Sequence, residues 1–256
     1  MSTTIAVTID LDWASEPAIE ETLACLEARG IPATVFATHR SRAVETRSDK
    51  LEIGLHPFFG EDSSHGRTVK EVAEHVSAIP HNLPAFRCHR FAVSNEASAA
   101  MRSVGMGISS NVCTDLATVA PFRDRSGMLE IPVFLEDGGY LLQQHRLQVG
   151  SPLVSALAVP GLKVLLLHPM HFAVNTPTLE YMGRIKQSAS RQDWHALTGS
   201  QLADRRFQGR GIRDLVIDLF EHIVERGMAW TTLGEVARLH GAQRAQAGTL
   251  RAVSLA

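Results

Sequence analysis

The sequence has few cysteines and no surplus of charge of either sign. Its three cysteines, Cys25, Cys88 and Cys113, are odd in number and widely spaced, so we expect reduced thiols and no disulfide framework. The formal net charge is −2, and no polybasic segment occurs. These features predict neither a nucleic-acid partner nor binding to a charged membrane surface.

Long apolar runs and several well-known catalytic motifs are also missing. The longest apolar stretches, such as residues 164–167, have the length of a strand, so we predict no transmembrane segment. No basic region followed by an apolar stretch precedes Ile5, and we therefore expect a cytoplasmic protein. Neither a Gly-Xaa-Ser-Xaa-Gly elbow nor a phosphate-binding glycine loop is found, which excludes acyl-enzyme and nucleotide-motor chemistry. The oligomeric state stays open.

Strand and helix patterns alternate along the chain. Strand patterns cover residues 5–10, 33–37, 51–55, 85–87, 106–109, 129–132 and 163–167, and helical patterns cover residues 16–29, 68–79, 95–104, 212–226 and 232–239. This alternation predicts parallel βαβ units, and roughly seven or eight strands favour a barrel over an open sheet. We predict one α/β domain over residues 1–240 and a C-terminal tail over 241–256. The polar segment 175–209 is predicted to be a long loop or a lid that carries a helix.

Ionisable side chains follow most of the predicted strands. Asp10 and Asp12 come at the end of the first strand, where a parallel barrel places its chemistry. Two carboxylates so close together repel each other and lose solvation, and a divalent metal would offset both effects. His56, Arg87 and His168 end later strands. With twelve histidines in the chain, this pattern indicates a metal site.

Each of these residues also has a structural interpretation. Asp12 could cap a helix, His56 could sit in a turn, and Arg87 could pair with a surface acid. His65 could be a solvated loop residue, and His168 could be a core histidine. Together, however, a carboxylate and two histidines form a metal site with open positions, and a second carboxylate supplies a general base. That combination suits metal-assisted hydrolysis of an amide.

With these residues at its strand ends, the chain resembles the polysaccharide deacetylase superfamily, the NodB-like domains of carbohydrate esterase family 4. Its first motif is Thr8-Ile9-Asp10-Leu11-Asp12, and the resemblance implies a distorted (β/α)7-type barrel. It also implies that Asp10 is the catalytic base and that Asp12 binds the metal. The stretch from His56 to Gly66 is similar to a branch linked to bacterial lipopolysaccharide O-antigen biosynthesis.

The later motifs of the family match in part. His56 matches a metal ligand, but Gly60 stands where the usual second histidine would be, so we predict His65 as its substitute. Arg87 matches the arginine that orients the base, and His168 matches the general acid. Asp137 falls where the family has an acid near the arginine.

The resemblance implies hydrolysis of the N-acetyl group of an amino sugar in a cell-surface polysaccharide or lipopolysaccharide precursor. The implied cofactor is one divalent metal ion, zinc, with cobalt or manganese as alternatives. The residues expected to line the substrate pocket are Trp13, His89, Arg90, His171 and Asn175. Two alternatives stay open. One is hydrolysis of another linear or cyclic amide, of the deformylase or allantoinase kind, and the other is a non-catalytic sugar-binding protein.

Overall fold

The computed structural model describes residues 2–242 and contains one large, mainly parallel sheet. The predicted tail, residues 241–256, lies outside the described residues except for its first two. The strands are β1 (Thr3–Asp10), β2 (Ala33–Ala37), β3 (Glu52–Leu55), β4 (Ala85–Phe86), β5 (Ile108–Ser109), β6 (Phe122–Arg123), β7 (Leu129–Glu130), β8 (Leu135–Glu136), β9 (Gly161–Leu167) and β10 (Ala229–Thr231). Strands β1, β2 and β9 are almost entirely buried, as expected for strands covered on both faces.

The sheet curls into a distorted barrel through one extended segment. The strand order is β6-β7-β5-β4-β3-β2-β1-β9-β8, with β10 paired to β1. Residues 129–136 contain both β7 and β8, and Pro132 between them has no N–H to donate. Ile131 N donates to Ser109 O on one side, whereas Phe134 N donates to Val164 O on the other. The same segment thus joins both ends of the sheet, and the predicted barrel is confirmed.

Helices connect the strands and follow the predicted pattern where their signals are strong. They are α1 (Glu16–Glu27), α2 (Arg42–Glu45), α3 (Val69–Ser77), α4 (Asn95–Ser103), α5 (Asp137–Leu142), α6 (Leu153–Ala158), α7 (Pro169–Ala173), α8 (Leu179–Gln187), α9 (Arg191–His195), α10 (Gly199–Asp204) and α11 (Ile212–Glu225). The predicted capping box opens α3: Thr68 Oγ1 accepts from Glu71 N, and the Glu71 carboxylate accepts from Thr68 N. Residues 233–242 are also helical.

The segment predicted as a loop or lid contains α8, α9 and α10. Its end is attached to the barrel by Glu21 of α1, whose carboxylate receives hydrogen bonds from Arg206 and Arg213. Arg206 also donates to the backbone oxygen of Ala173. The segment is therefore an ordered part of the fold. No helix within residues 2–242 has the length and apolar character needed to cross a lipid bilayer, and the three cysteines are free, as predicted.

Glu52 ties the amino-terminal ends of the strands to the last helix. Its carboxylate accepts hydrogen bonds from Thr34 Oγ1 at 2.8 Å, Thr232 Oγ1 at 2.6 Å and Gly234 N at 3.0 Å. A Cβ at position 234 would lie 2.4 Å from Glu52 Oε1. Glycine at this position therefore allows the helix to approach the carboxylate.

Replacing Glu52 by alanine is expected to lower the free energy of unfolding by about 1–3 kcal/mol, because three donors lose their acceptor. Urea denaturation measures the change. The exposed Glu61 provides a matched control, since Glu61→Ala is expected to stay within about 0.5 kcal/mol of the parent protein. Equal effects of both substitutions would contradict this account of Glu52.

Candidate metal centre and active site

The carboxyl ends of four strands bring the predicted polar residues together. Asp10 ends β1, and His56, Arg87 and His168 directly follow β3, β4 and β9. Strands β2, β3 and β4 pair in parallel in that order, and β9 lies on the other side of β1. The side chains consequently meet at one end of the barrel, where active sites of parallel barrels form.

Asp10 is held by a fully buried arginine. Arg87 Nη1 donates to Asp10 Oδ1 at 2.8 Å and to Thr8 Oγ1 at 2.9 Å, while its Nε and Nη2 donate to the backbone and side-chain oxygens of Ser110. The guanidinium also lies 4.4 Å from the centroid of the Phe36 ring. Arg87 thus has a partner for each of its nitrogens, and its contact with Asp10 limits the orientation of that carboxylate.

Asp12 faces two histidines. Its backbone is in the left-handed region, with φ of 46°, so the carboxylate turns away from the strand direction. Asp12 Oδ1 lies 3.0 Å from His56 Nε2 and 2.8 Å from His89 Nδ1. Burial by itself would raise the pKa of Asp12, but the hydrogen bonds from His56 and His89 hold it well below its usual range.

These three residues fit a divalent cation. One carboxylate oxygen and two imidazole nitrogens lie within 4.8 Å of one another, and this donor set is typical of catalytic zinc sites. If His56 Nε2 serves as a ligand, its proton resides on Nδ1, which is buried, has no hydrogen-bond partner among the described residues and lies 3.7 Å from Asp10 Oδ2. The Asp10 carboxylate thus lies beside this N–H of His56, beyond hydrogen-bond distance.

His65 is not part of this group, so the structure departs from the predicted ligand set. His65 Nε2 donates to Thr38 O at 2.9 Å, and His65 Nδ1 accepts from Phe58 N at 3.2 Å. Both nitrogens are used to hold the loop after β3, and the ring packs beside Trp13. His89, predicted as a substrate-binding residue, lies beside Asp12 and His56 and completes the group that could hold a metal. A histidine soon after the end of β4 was the sequence signal for it.

His168 is paired with Asp137. Its Nδ1 lies 2.6 Å from Asp137 Oδ1, and its backbone N donates to Asp137 Oδ2 at 2.7 Å. Burial alone would lower the pKa of His168, but the charge and hydrogen bond of Asp137 raise it to about 10. We had predicted Asp137 as an acid near Arg87. The structure places it against His168, because α5 begins at Asp137 beside the end of β9.

Two further predicted pocket residues lie elsewhere. His171 is buried behind His168, with the ring centroids 5.7 Å apart, and burial lowers its pKa to about 4. Asn175 holds a loop: its side chain donates to the backbone oxygens of Phe207 and Gly209 and accepts from Arg213 N. The side chain of Asn175 thus holds this loop, and it is not among the residues that line the cavity beside Asp12.

A cavity of about 330 Å³ opens beside Asp12 and His89. Of the predicted substrate-binding residues, Trp13, His89 and Arg90 line it. The other lining residues, which the sequence did not indicate, come from the loop after β3 and from the segment with α8 and α9: Phe58, Asp62, Lys186, Ala189, Ser190 and Trp194. The polar segment after residue 175 thus contributes one wall of the site.

A buried polar network supports the loop that presents His89. Cys88 N donates to Asn111 Oδ1 at 2.7 Å, and Asn111 N donates to Glu130 Oε1 at 2.7 Å. Val112 N and Ser109 Oγ also donate to the Glu130 carboxylate. Burial raises the pKa of Glu130. These contacts link β5 and β7 to the residue that precedes His89.

Comparison with known proteins agrees with this architecture. Residues 7–186 match the family model described as WbmS-like polysaccharide deacetylase. No curated protein matches the chain.

Three solved structures are similar over most of the chain. A candidate polysaccharide deacetylase from Bordetella bronchiseptica, described as involved in O-antigen biosynthesis, is 23% identical with a TM-score of 0.73, and the match covers 85% of this chain and 90% of that one. A candidate polysaccharide deacetylase from Mycobacterium smegmatis is 16% identical (TM-score 0.47, coverage 91% and 93%). The Xyl-CE4 domain of a xylanase from the hindgut metagenome of Trinervitermes trinervoides is 15% identical (TM-score 0.47, coverage 94% and 92%). The Bordetella structure shows the same fold.

The ligand set can be tested with zinc. His89→Ala is expected to weaken zinc binding by more than the roughly 10–100-fold that losing a supporting residue costs, because a ligand is removed. His65→Ala is expected to leave zinc affinity unchanged. Competition with a chromophoric chelator measures both, and circular dichroism checks that each variant folds. The reverse ranking would return His65 to the ligand set.

Proposed function

The chain belongs to the WbmS-like polysaccharide deacetylases, and from this premise we propose that it hydrolyses the N-acetyl group of an amino sugar with the help of a divalent metal. One observation carries the proposal: the Asp10–Arg87 pair and His168 flank the group formed by Asp12, His56 and His89. The proposed base and the proposed acid therefore lie next to the candidate cation site, of which Asp12 and His89 line the cavity.

Asp12, His56 and His89 would hold the metal. When bound, a divalent ion supplies Lewis-acid polarisation of the acetamide carbonyl and makes water more acidic. Two imidazoles and one carboxylate favour zinc, and cobalt and manganese accept the same donors.

Asp10 is the proposed general base. Its Oδ1 is occupied by Arg87, which leaves Oδ2 as the oxygen that can accept a proton from water. Because Arg87 is itself fixed by Thr8 and Ser110, the base cannot rotate away from its position. A general base that is held in a fixed orientation transfers protons faster than one that rotates freely.

His168 is the proposed general acid. Asp137 occupies His168 Nδ1, so Nε2 is the nitrogen that can give a proton to the departing amine. That nitrogen lies 3.7 Å from Asp12 Oδ2, whereas His56 and His89 contact the other carboxylate oxygen, Asp12 Oδ1. Acetate and a free amino sugar would be the products.

We place the substrate among the precursors of bacterial cell-surface polysaccharides. The Bordetella relative of this fold is described as involved in O-antigen biosynthesis, and the family is one of polysaccharide deacetylases. A lipopolysaccharide precursor that carries an acetamido sugar fits both statements.

Asp10→Asn should strongly reduce the rate of acetate release while zinc stays bound. Removing the base is expected to lower kcat by about 10²–10⁴-fold. The parent protein, stripped with a chelator and reloaded with zinc, provides the reference for acetate release from N-acetylated sugars. The proposal fails if the reloaded parent releases no acetate from any of them, and the role of Asp10 fails if its variant keeps full turnover.

Asp137→Asn tests a positioning role. The variant keeps the shape of the side chain but removes the charge that fixes the proton on His168 Nδ1, so kcat is expected to fall by about 10²-fold or more. KM should change far less, because Asp137 is fully buried and does not line the cavity. A change in KM with constant kcat would contradict this assignment.

A further inference from the structure

We propose that the acetamido sugar accepted by this site carries an anionic group, a carboxylate or a phosphate, which is bound by Arg90 and Lys186. This inference rests on the proposed function and adds the class of substrate. Both cations line the cavity that opens beside Asp12 and His89. They belong to different walls, since Arg90 follows β4 and Lys186 lies in α8.

Neither cation is neutralised by the protein. Within residues 2–242, no ion pair joins Arg90 or Lys186 to a carboxylate, whereas Arg87, Arg206 and Arg213 all have acidic partners. Lys186 Nζ instead lies 5.7 Å from the centroid of the Trp194 ring. A guanidinium and an ammonium that are both exposed and both face a cavity form a favourable environment for an anion.

The backbone places Arg90 at the cavity at an energetic cost. Arg90 and Phe91 have φ of 59° and 55°, and Asp12 and Trp13 have φ of 46° and 54°. Non-glycine residues adopt the left-handed region rarely, and such strain concentrates at functional sites. Three of these four residues, Asp12, Trp13 and Arg90, line the same cavity, which indicates that the direction of their side chains matters for binding.

The remaining walls suit a sugar ring. The indoles of Trp13 and Trp194 line the cavity together with Phe58, and Trp13 packs edge-on against Phe58 and His89. Aromatic faces with a few placed polar groups are typical of small-molecule sites. The apolar face of a pyranose can pack on an indole while its anionic substituent reaches the two cations.

In the described part of the chain, residues 2–242, Asp62 is the one carboxylate that lines the cavity without an ion pair, since Asp12 is engaged by histidines. Asp62 is exposed and would repel an anionic group. Asp62 therefore provides a control whose expected effect is opposite to that of Arg90 and Lys186, because removing its negative charge should improve binding of an anionic substrate.

The test compares three probes with the zinc-loaded protein: the methyl glycoside of N-acetylglucosamine, the corresponding N-acetylglucosaminuronate, and N-acetylglucosamine linked to uridine diphosphate. Acetate release gives kcat/KM for each. We expect at least one anionic probe to exceed the neutral one by about 10-fold or more, as close charge pairs provide. The uronate and the diphosphate arms distinguish a carboxylate from a phosphate.

Substitutions identify the residues responsible. Arg90→Gln and Lys186→Gln should each lower the ratio of anionic to neutral kcat/KM several-fold, through KM. Asp62→Asn should raise this ratio. Lys70→Gln, an exposed lysine outside the cavity, should leave the ratio unchanged. Calorimetric titration of the Asp10→Asn variant with the same three probes measures their binding constants without turnover. We expect these constants to rank the probes in the same order as kcat/KM.

The outcomes separate the two proposals. Equal kcat/KM for all three probes, or ratios that Arg90→Gln and Lys186→Gln do not alter, would overturn the anionic substrate and leave the deacetylase function intact. No acetate release from any probe, and none from other N-acetylated sugars, would overturn the deacetylase function and this inference with it.

Discussion

The buried guanidinium of Arg87 is the interaction on which the site depends. A cation without exposure to solvent must have a full set of partners, and Arg87 obtains them from Thr8, Asp10 and Ser110. These partners belong to β1 and to the residue that follows β5, so the side chain that follows β4 connects β1 and β5, which are not adjacent in the sheet. Because His89 comes two residues later, the same constraint brings an imidazole to Asp12.

The first strand separates the tasks of its two carboxylates. Asp10 lies within β1 and is almost fully buried, so it requires the arginine. Asp12 comes after the strand, where the left-handed backbone turns it towards His56 and His89. A second acid–histidine pair is formed by Asp137 and His168, and it lies next to the other oxygen of the Asp12 carboxylate. Each ionisable group thus has an assigned partner, which explains how so many charges can be buried together.

Much of this arrangement could be predicted because strand periodicity is a local property. The positions of Asp10, Asp12, His56, Arg87 and His168 at strand ends followed from apolar runs and their termini, and the structure confirms that they meet. The prediction for His65 followed from spacing along a loop, and spacing does not show which backbone groups need partners. Thr38 O and Phe58 N occupy both nitrogens of His65, and Asn175 is similarly occupied by the chain around residues 207–213.

The sequence by itself determined the alternation of strands and helices, the family resemblance and the residues that end the strands, because all of these depend on neighbours in the chain. Only the tertiary structure decided that His89, 77 positions from Asp12 in the chain, contacts the same Asp12 oxygen as His56. It likewise decided that Asp137 pairs with His168 and not with Arg87. It also decided that residues 129–136 close the barrel and that α8 and α9 line the cavity. These contacts join distant segments, and their geometry follows from how buried polar groups satisfy one another across the fold.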